Sequence, residues 1–141
     1  MSKGYDKAAD YWALGCMIYE MIYIHTPFQA EYTSKIFQHI MASEKYLVFK
    51  GSPDPHFETL VRGLLCSNPS FRLGNLSSGI NGLIDSPFFA DLDWKAVYNH
   101  TAHAPYVPPI KDASDSSNFG SYEEEKNIPI YTGTQEHFRG F

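Results

Sequence analysis

The chain has 141 residues and a mass of 16.0 kDa, enough for one ordinary domain with its own core and too little for two full lobes. Hydrophobic residues make up 43% and aromatic residues 16%, which excludes wholesale disorder. A net charge of −5 argues against nonspecific binding to nucleic acid or to an anionic membrane.

The N-terminus, Met1-Ser2-Lys3-Gly4, leads into a polar turn rather than an apolar signal segment. Asp6 is placed to cap a helix from Lys7 to about Tyr23. That helix has no clean polar face: Ala8, Ala9, Trp12, Leu14, Cys16, Met17, Ile18, Met21 and Ile22 surround it. A helix apolar on nearly all sides needs neighbours on every side. The same stretch is too short, and too interrupted by Asp10 and Glu20, to span a membrane.

His25-Thr26-Pro27-Phe28 ends the helix. Thr33 or Ser34 is expected to cap a second one, with Ile36, Phe37, Ile40 and Met41 on one side. Residues 46–49 read as a short extended run. Asp54 as cap and Pro55 at the first position open a third helix. Its apolar positions, Phe57, Leu60, Val61, Leu64 and Leu65, follow the helical repeat, and Asn68-Pro69 stops it. A short fourth helix is predicted over 80–84, closed by Ser86-Pro87, and a helical turn over 94–98.

Past Ala104 the composition changes. Prolines 105, 108 and 109, a Ser/Asp/Asn-rich stretch and Glu123-Glu124-Glu125 read as an extended tail. Residues 105–141 carry three basic and six acidic residues. Spaced aromatics (Tyr106, Phe119, Tyr122, Tyr131, Phe138, Phe141) suggest a strap pinned at intervals to a surface.

No self-contained active site is visible. The sequence has no glycine-rich phosphate loop and no GxSxG elbow. His100 and His103 are spaced HxxH without a supporting carboxylate or cysteine cluster, so solvated histidines are expected and no metal site. Cys16 and Cys66 lie in apolar runs and read as buried thiols of a reducing compartment. Two carboxylates remain open. Asp10 either sits in an exposed first turn or accepts hydrogen bonds from a neighbouring loop. Glu20 either is solvated near the helix end or binds a cationic group.

Residues 4–15, with Asp10, Trp12, Leu14 and Gly15, resemble the DxWxLG segment of eukaryotic protein kinases. Pro27-Phe28 resembles the PPF that follows it, and Asn68-Pro69-Ser70-Phe71-Arg72-Leu73-Gly74-Asn75 the NPxxRLGN segment. Order and spacing agree over residues 1–89. Ser117-Asn118-Phe119, Tyr122-Glu123-Glu124-Glu125 and the ending Phe138-Arg139-Gly140-Phe141 resemble the C-terminal extension of AGC-group serine/threonine kinases, above all the cAMP-dependent protein kinase catalytic subunits.

The resemblance implies a mainly α fold: the C-terminal part of the kinase large lobe, about four helices over 1–89, then an irregular AGC tail over 90–141. It implies roles as well. Asp10 would accept backbone hydrogen bonds from the catalytic loop. Trp12 and Gly15 would seat the first helix under the activation segment. Glu20 would bind a substrate arginine, and Arg72 would pair with the Glu of the APE motif. Phe119 and Tyr122 would lie near the adenine pocket and the substrate, and Phe138 and Phe141 would dock on the small lobe.

The catalytic residues of the family lie upstream of its DxWxLG segment, so no catalytic residue is expected in this chain. ATP and Mg would belong to a full-length parent acting on Ser/Thr in basic peptides. The partners implied are the missing N-terminal kinase half, basic peptides and a cyclic-nucleotide-binding regulatory subunit, in the cytoplasm or nucleus. Without the APE Glu, Arg72 is expected to be unpaired. Met1 stands where the family has an ordinary apolar residue, so an internal start is expected. The turn-motif phosphosite has no clear counterpart; Thr132 and Thr134 are candidates. The alternative is a non-catalytic helical binding module that presents a kinase-like tail.

Overall fold

The computed structural model describes residues 4–51, 54–134, 136, 139 and 140. Its regular structure is helical, with no strand among the described residues. Among the described residues the α-helices are α1 (Ala8–Tyr23), α2 (Thr33–Met41), α3 (Ser43–Tyr46), α4 (Pro55–Leu64), α5 (Asn81–Ile84) and α6 (Trp94–Tyr98). This is the mainly α architecture the sequence predicts.

The N-cap position of α1 falls on Lys7 rather than Asp6, but Asp6 Oδ1 still accepts the Ala8 N–H at 2.9 Å. The helix ends where Ile24 turns left-handed, φ 60°, and donates its N–H to the Glu20 carbonyl at 2.8 Å. Asp54 and Pro55 open α4 as expected, with Asp54 Oδ1 accepting from the His56 N–H at 2.7 Å.

Two further local expectations are corrected. Neither Thr33 nor Ser34 caps α2: Thr33 is its first residue, and the N-cap position falls to Tyr32, with no side-chain hydrogen bond. The Tyr32 carbonyl takes the N–H groups of Lys35 and Ile36 instead. Tyr46, expected in an extended run, instead closes the one-turn helix α3; Leu47 is extended, and residues 47–49 form no ladder. A strand there has no partner to complete its backbone hydrogen bonds.

The core forms where α1 crosses α4. Phe57, Leu60, Val61 and Leu64 of α4, with Leu65, are fully buried. Tyr19 of α1, Phe28, Leu47, Phe57, Val61 and Leu65 form one cluster. Leu60, Leu64 and Leu83 form a second. Gly63 supports this crossing by accepting the Leu73 N–H at 2.9 Å, which ties the chain after α4 back onto it.

Only Ala8, Gly15 and Tyr19 of α1 are buried. Met17 is 49% and Met21 70% exposed, and Ile22 is exposed as well. A helix with the composition of a core element thus has one side bare. Residues 99–140 are almost wholly exposed where described. Their local order comes from turns: Asp112 and Asp115 each accept backbone N–H groups, and Asn118 Nδ2 donates to the Pro109 carbonyl at 2.9 Å. No helix of the described residues is long and apolar enough to cross a membrane.

Candidate functional site

The turn at Asn68 delivers Arg72 to the start of α1. Asn68 Oδ1 accepts the Ser70 N–H at 3.0 Å and Pro69 opens a 3-10 turn, Pro69–Phe71. Arg72 then lies only 6% exposed. Its Nη1 donates to the Ala8 carbonyl at 2.7 Å. Its Nε and Nη2 donate to the Cys66 carbonyl at 3.1 and 2.9 Å, and Nη2 also to the Ser67 carbonyl at 3.4 Å. The guanidinium lies 4.8 Å over the Trp12 ring, which stacks on Phe28 at 5.5 Å and 16°.

The expectation of an unpaired Arg72 is therefore corrected. The donors of the fork are met by backbone carbonyls, including those just beyond the end of α4. Burial pushes the Arg72 pKa down, while Cys66, Asp6 and Cys16 act the other way. A cavity of about 180 Å³ opens beside the guanidinium, lined by Gly4, Tyr5, Asp6, Ala8, Ala9 and Pro69.

Gly15 holds α1 against α4. A Cβ there would lie 2.8 Å from Leu64 Cβ and 2.9 Å from Leu65 Cδ2. Any larger residue would push the helices apart. Trp12, Gly15 and Arg72 are thus brought to one crossing, and Glu20, Phe119 and Tyr122 are not seen joined to it.

Asp10 lies in the exposed first turn of α1, and its carboxylate has no partner among the described residues. Glu20 is exposed and equally free, in a helix whose last turn carries no basic residue. Cys16 is half-buried. Burial first, then the Glu20 charge, raises its thiol pKa, with Arg72 opposing them.

Phe119 and Tyr122 stand 77% and 86% exposed. Phe138 and Phe141 lie outside the described residues. Thr134 accepts the Tyr131 hydroxyl through its carbonyl and the Glu136 N–H through Oγ1, whereas Thr132 lies in irregular chain. His100 and His103 line one cavity with Leu92, Val97 and Pro105. Among the described residues no group of three or more His, Cys, Asp or Glu could hold a metal ion.

Sequence reasoning missed a polar clasp between α3 and the end of α4. Ser43, fully buried, donates its Oγ–H to the Leu65 carbonyl at 2.5 Å and its backbone N–H to Ser67 Oγ at 3.1 Å. Glu44 accepts the Ser67 N–H and hydroxyl at 3.2 and 3.0 Å. No periodicity marks such a pair of loops. It missed Gly74 too, whose φ of +88° and contact with the Tyr11 ring both exclude a side chain.

Comparison with known proteins points the same way. The protein kinase domain family matches residues 1–89. The catalytic subunit of cAMP-dependent protein kinase from Dictyostelium discoideum is 35% identical over 90% of this chain and 19% of its own length. A protein kinase C-like protein from Neurospora crassa is 32% identical over 100% of this chain and 13% of its own. The human cAMP-dependent protein kinase catalytic subunit PRKX is 34% identical over 99% of this chain and 39% of its own. The chain therefore spans between 13% and 39% of the length of these relatives.

Proposed function

Because the chain belongs to the protein kinase family, with AGC-group relatives, we propose that it is the C-terminal part of a serine/threonine kinase. Residues 1–89 contribute the later helices of the large lobe and residues 90–141 the AGC tail. The observation that carries this reading is α1, apolar on all sides yet bare along Met17, Met21 and Ile22. An exposed apolar face of that kind calls for a missing partner. The upstream half of the kinase is that partner.

The parent enzyme transfers the γ-phosphoryl of ATP to Ser/Thr in basic peptides. ATP and Mg are held by upstream residues, as membership of the protein kinase family implies. What this chain supplies is support and recognition. Asp10, free at the exposed N-terminal turn of α1, accepts backbone N–H groups of the catalytic loop. Trp12 and Gly15 seat the helix. The cavity beside Arg72 receives the carboxylate of the APE segment. Glu20, unpaired, takes a substrate arginine in the bidentate geometry a carboxylate allows. Phe119 and Tyr122 complete the nucleotide side, and Phe138 and Phe141 hold the small lobe. A cyclic-nucleotide-binding regulatory subunit is the partner the family suggests.

The test has two arms. The reading frame upstream of Met1 should carry HRD-, DFG- and APE-type motifs; a stop codon immediately upstream would favour a non-catalytic module that presents its exposed tail aromatics to a partner. The purified chain should not phosphorylate a basic peptide, and robust phosphotransfer from pure material would sink the account.

A further inference from the structure

A cavity of about 460 Å³ opens just beyond the C-terminal end of α1, lined by Thr26, Phe28, Gln29, Ala30, Glu31 and Ile36. Its walls are mixed. Phe28 and Ile36 offer apolar surface, and Phe28 is itself anchored by stacking on Trp12. Glu31 brings a carboxylate with no hydrogen-bond or ion-pair partner among the described residues. Apolar walls with one free carboxylate match a long side chain that ends in a cation, whose methylene stem can lie on apolar surface while the charge finds the carboxylate.

The surroundings favour a cation further. The last turn of α1 carries no basic residue, so the partial negative charge of its carbonyl end is uncompensated. Glu20 lies in that last turn, exposed and unpaired. The nearest cationic residue in sequence, Lys35, is turned over the Tyr32 ring at 5.7 Å from its centroid. The His25 ring packs against Tyr19 and Tyr23.

We propose that this cavity is a second cation subsite of the peptide-binding face. It takes a lysine or arginine side chain of the substrate, its stem against Phe28 and Ile36 and its charge on Glu31. The inference rests on the basic-peptide reading given above. It adds a specificity residue, Glu31, that works separately from Glu20.

The test is binding of a short fluorescein-labelled peptide, with an arginine pair N-terminal to a serine, to the 141-residue chain by fluorescence anisotropy. The same peptide with citrulline in place of arginine is the control. Circular dichroism checks that each variant keeps its helical content; Glu31 is exposed, so Glu31→Gln leaves the core untouched. Glu31→Gln should weaken arginine-peptide binding about fivefold and leave the citrulline peptide unaffected. Glu20→Gln should cause its own loss, and the two losses should add. Glu31→Lys should prefer a peptide in which glutamate replaces arginine, a reversal that a structural role for Glu31 would not produce.

Wild-type binding from Glu31→Gln with a loss still seen in Glu20→Gln overturns the subsite and leaves the basic-peptide reading standing. No arginine preference in any protein overturns both. An equal loss from Asp85→Asn, on an exposed carboxylate outside the cavity, would mark diffuse attraction and overturn the subsite.

Discussion

Arg72 Nη1 donates to the carbonyl of Ala8, 64 residues earlier in the chain, at 2.7 Å. The bond joins the loop after α4 to the first turn of α1, and the stack of Arg72 on Trp12 extends it. A charge so nearly buried is tolerated because three carbonyls and a ring face surround it.

Arg72→Met should therefore destabilise the chain by about 3 kcal/mol, since it removes the fork and leaves the Ala8 and Cys66 carbonyls short of a donor. Arg72→Lys should recover only part of this, because an ammonium cannot reach all the acceptors at once. Urea denaturation followed by tryptophan fluorescence reads both. Equal midpoints for Arg72→Lys and wild type would show that the charge alone matters.

Gly15→Ala should also destabilise, by roughly 1–3 kcal/mol, even though alanine is the better helix former. The added methyl would meet Leu64 and Leu65, which are fully buried and cannot retreat. A stability gain in the same urea experiment would mean that α1 and α4 sit further apart than described.

Ile24 offers the opposite case. It is β-branched, 90% exposed and held at φ 60°, a region such side chains avoid. Ile24→Gly should relieve that strain and stabilise the helix end by about 1 kcal/mol. A lower urea midpoint would refute this.

The Glu44 carboxyl is held below its ordinary value, first by its own backbone N–H and then by the N–H and hydroxyl of Ser67. A carboxylate whose folded pKa is depressed contributes stability above its unfolded pKa and loses it as pH falls through the folded one. The clasp to Ser67 should thus be intact at neutral pH and open progressively below about 4.5. Amide hydrogen exchange at Ser67 should rise over that window relative to neighbouring amides. In Glu44→Gln the acid-dependent part of that rise should vanish.

The bare side of α1 predicts self-association. Met17→Gln with Met21→Gln should raise the monomer fraction of the purified chain, measured by size-exclusion chromatography with light scattering. A wild-type chain that is already monomeric and melts cooperatively would count against a missing half.

Much of the fold was legible beforehand because local rules mark it. Asp54-Pro55 announces α4, and its apolar repeat names the residues that prove fully buried. Asp6 marks α1, whose all-round apolar composition pointed to a core helix. α3 was not legible: four residues, Ser43–Tyr46, carry no periodicity, and the turn is held by Ser67 and Leu65 from a distant loop. Among the site residues, Trp12, Gly15 and Arg72 could be named from their motifs but not their partners, because hydrogen bonds to backbone carbonyls leave no mark on residue identity.

Length and composition spoke for one small domain with an acidic tail, and residue order alone marked α1, α4 with its Asp54 cap, and the kinase-type motifs. Those features depend on neighbours within a few residues, where spacing dictates geometry. Only the tertiary structure decided that Arg72 is satisfied by carbonyls, that α1 is covered on one side alone and that Glu31 faces a cavity. Each depends on segments distant in sequence meeting in space, which no local pattern specifies.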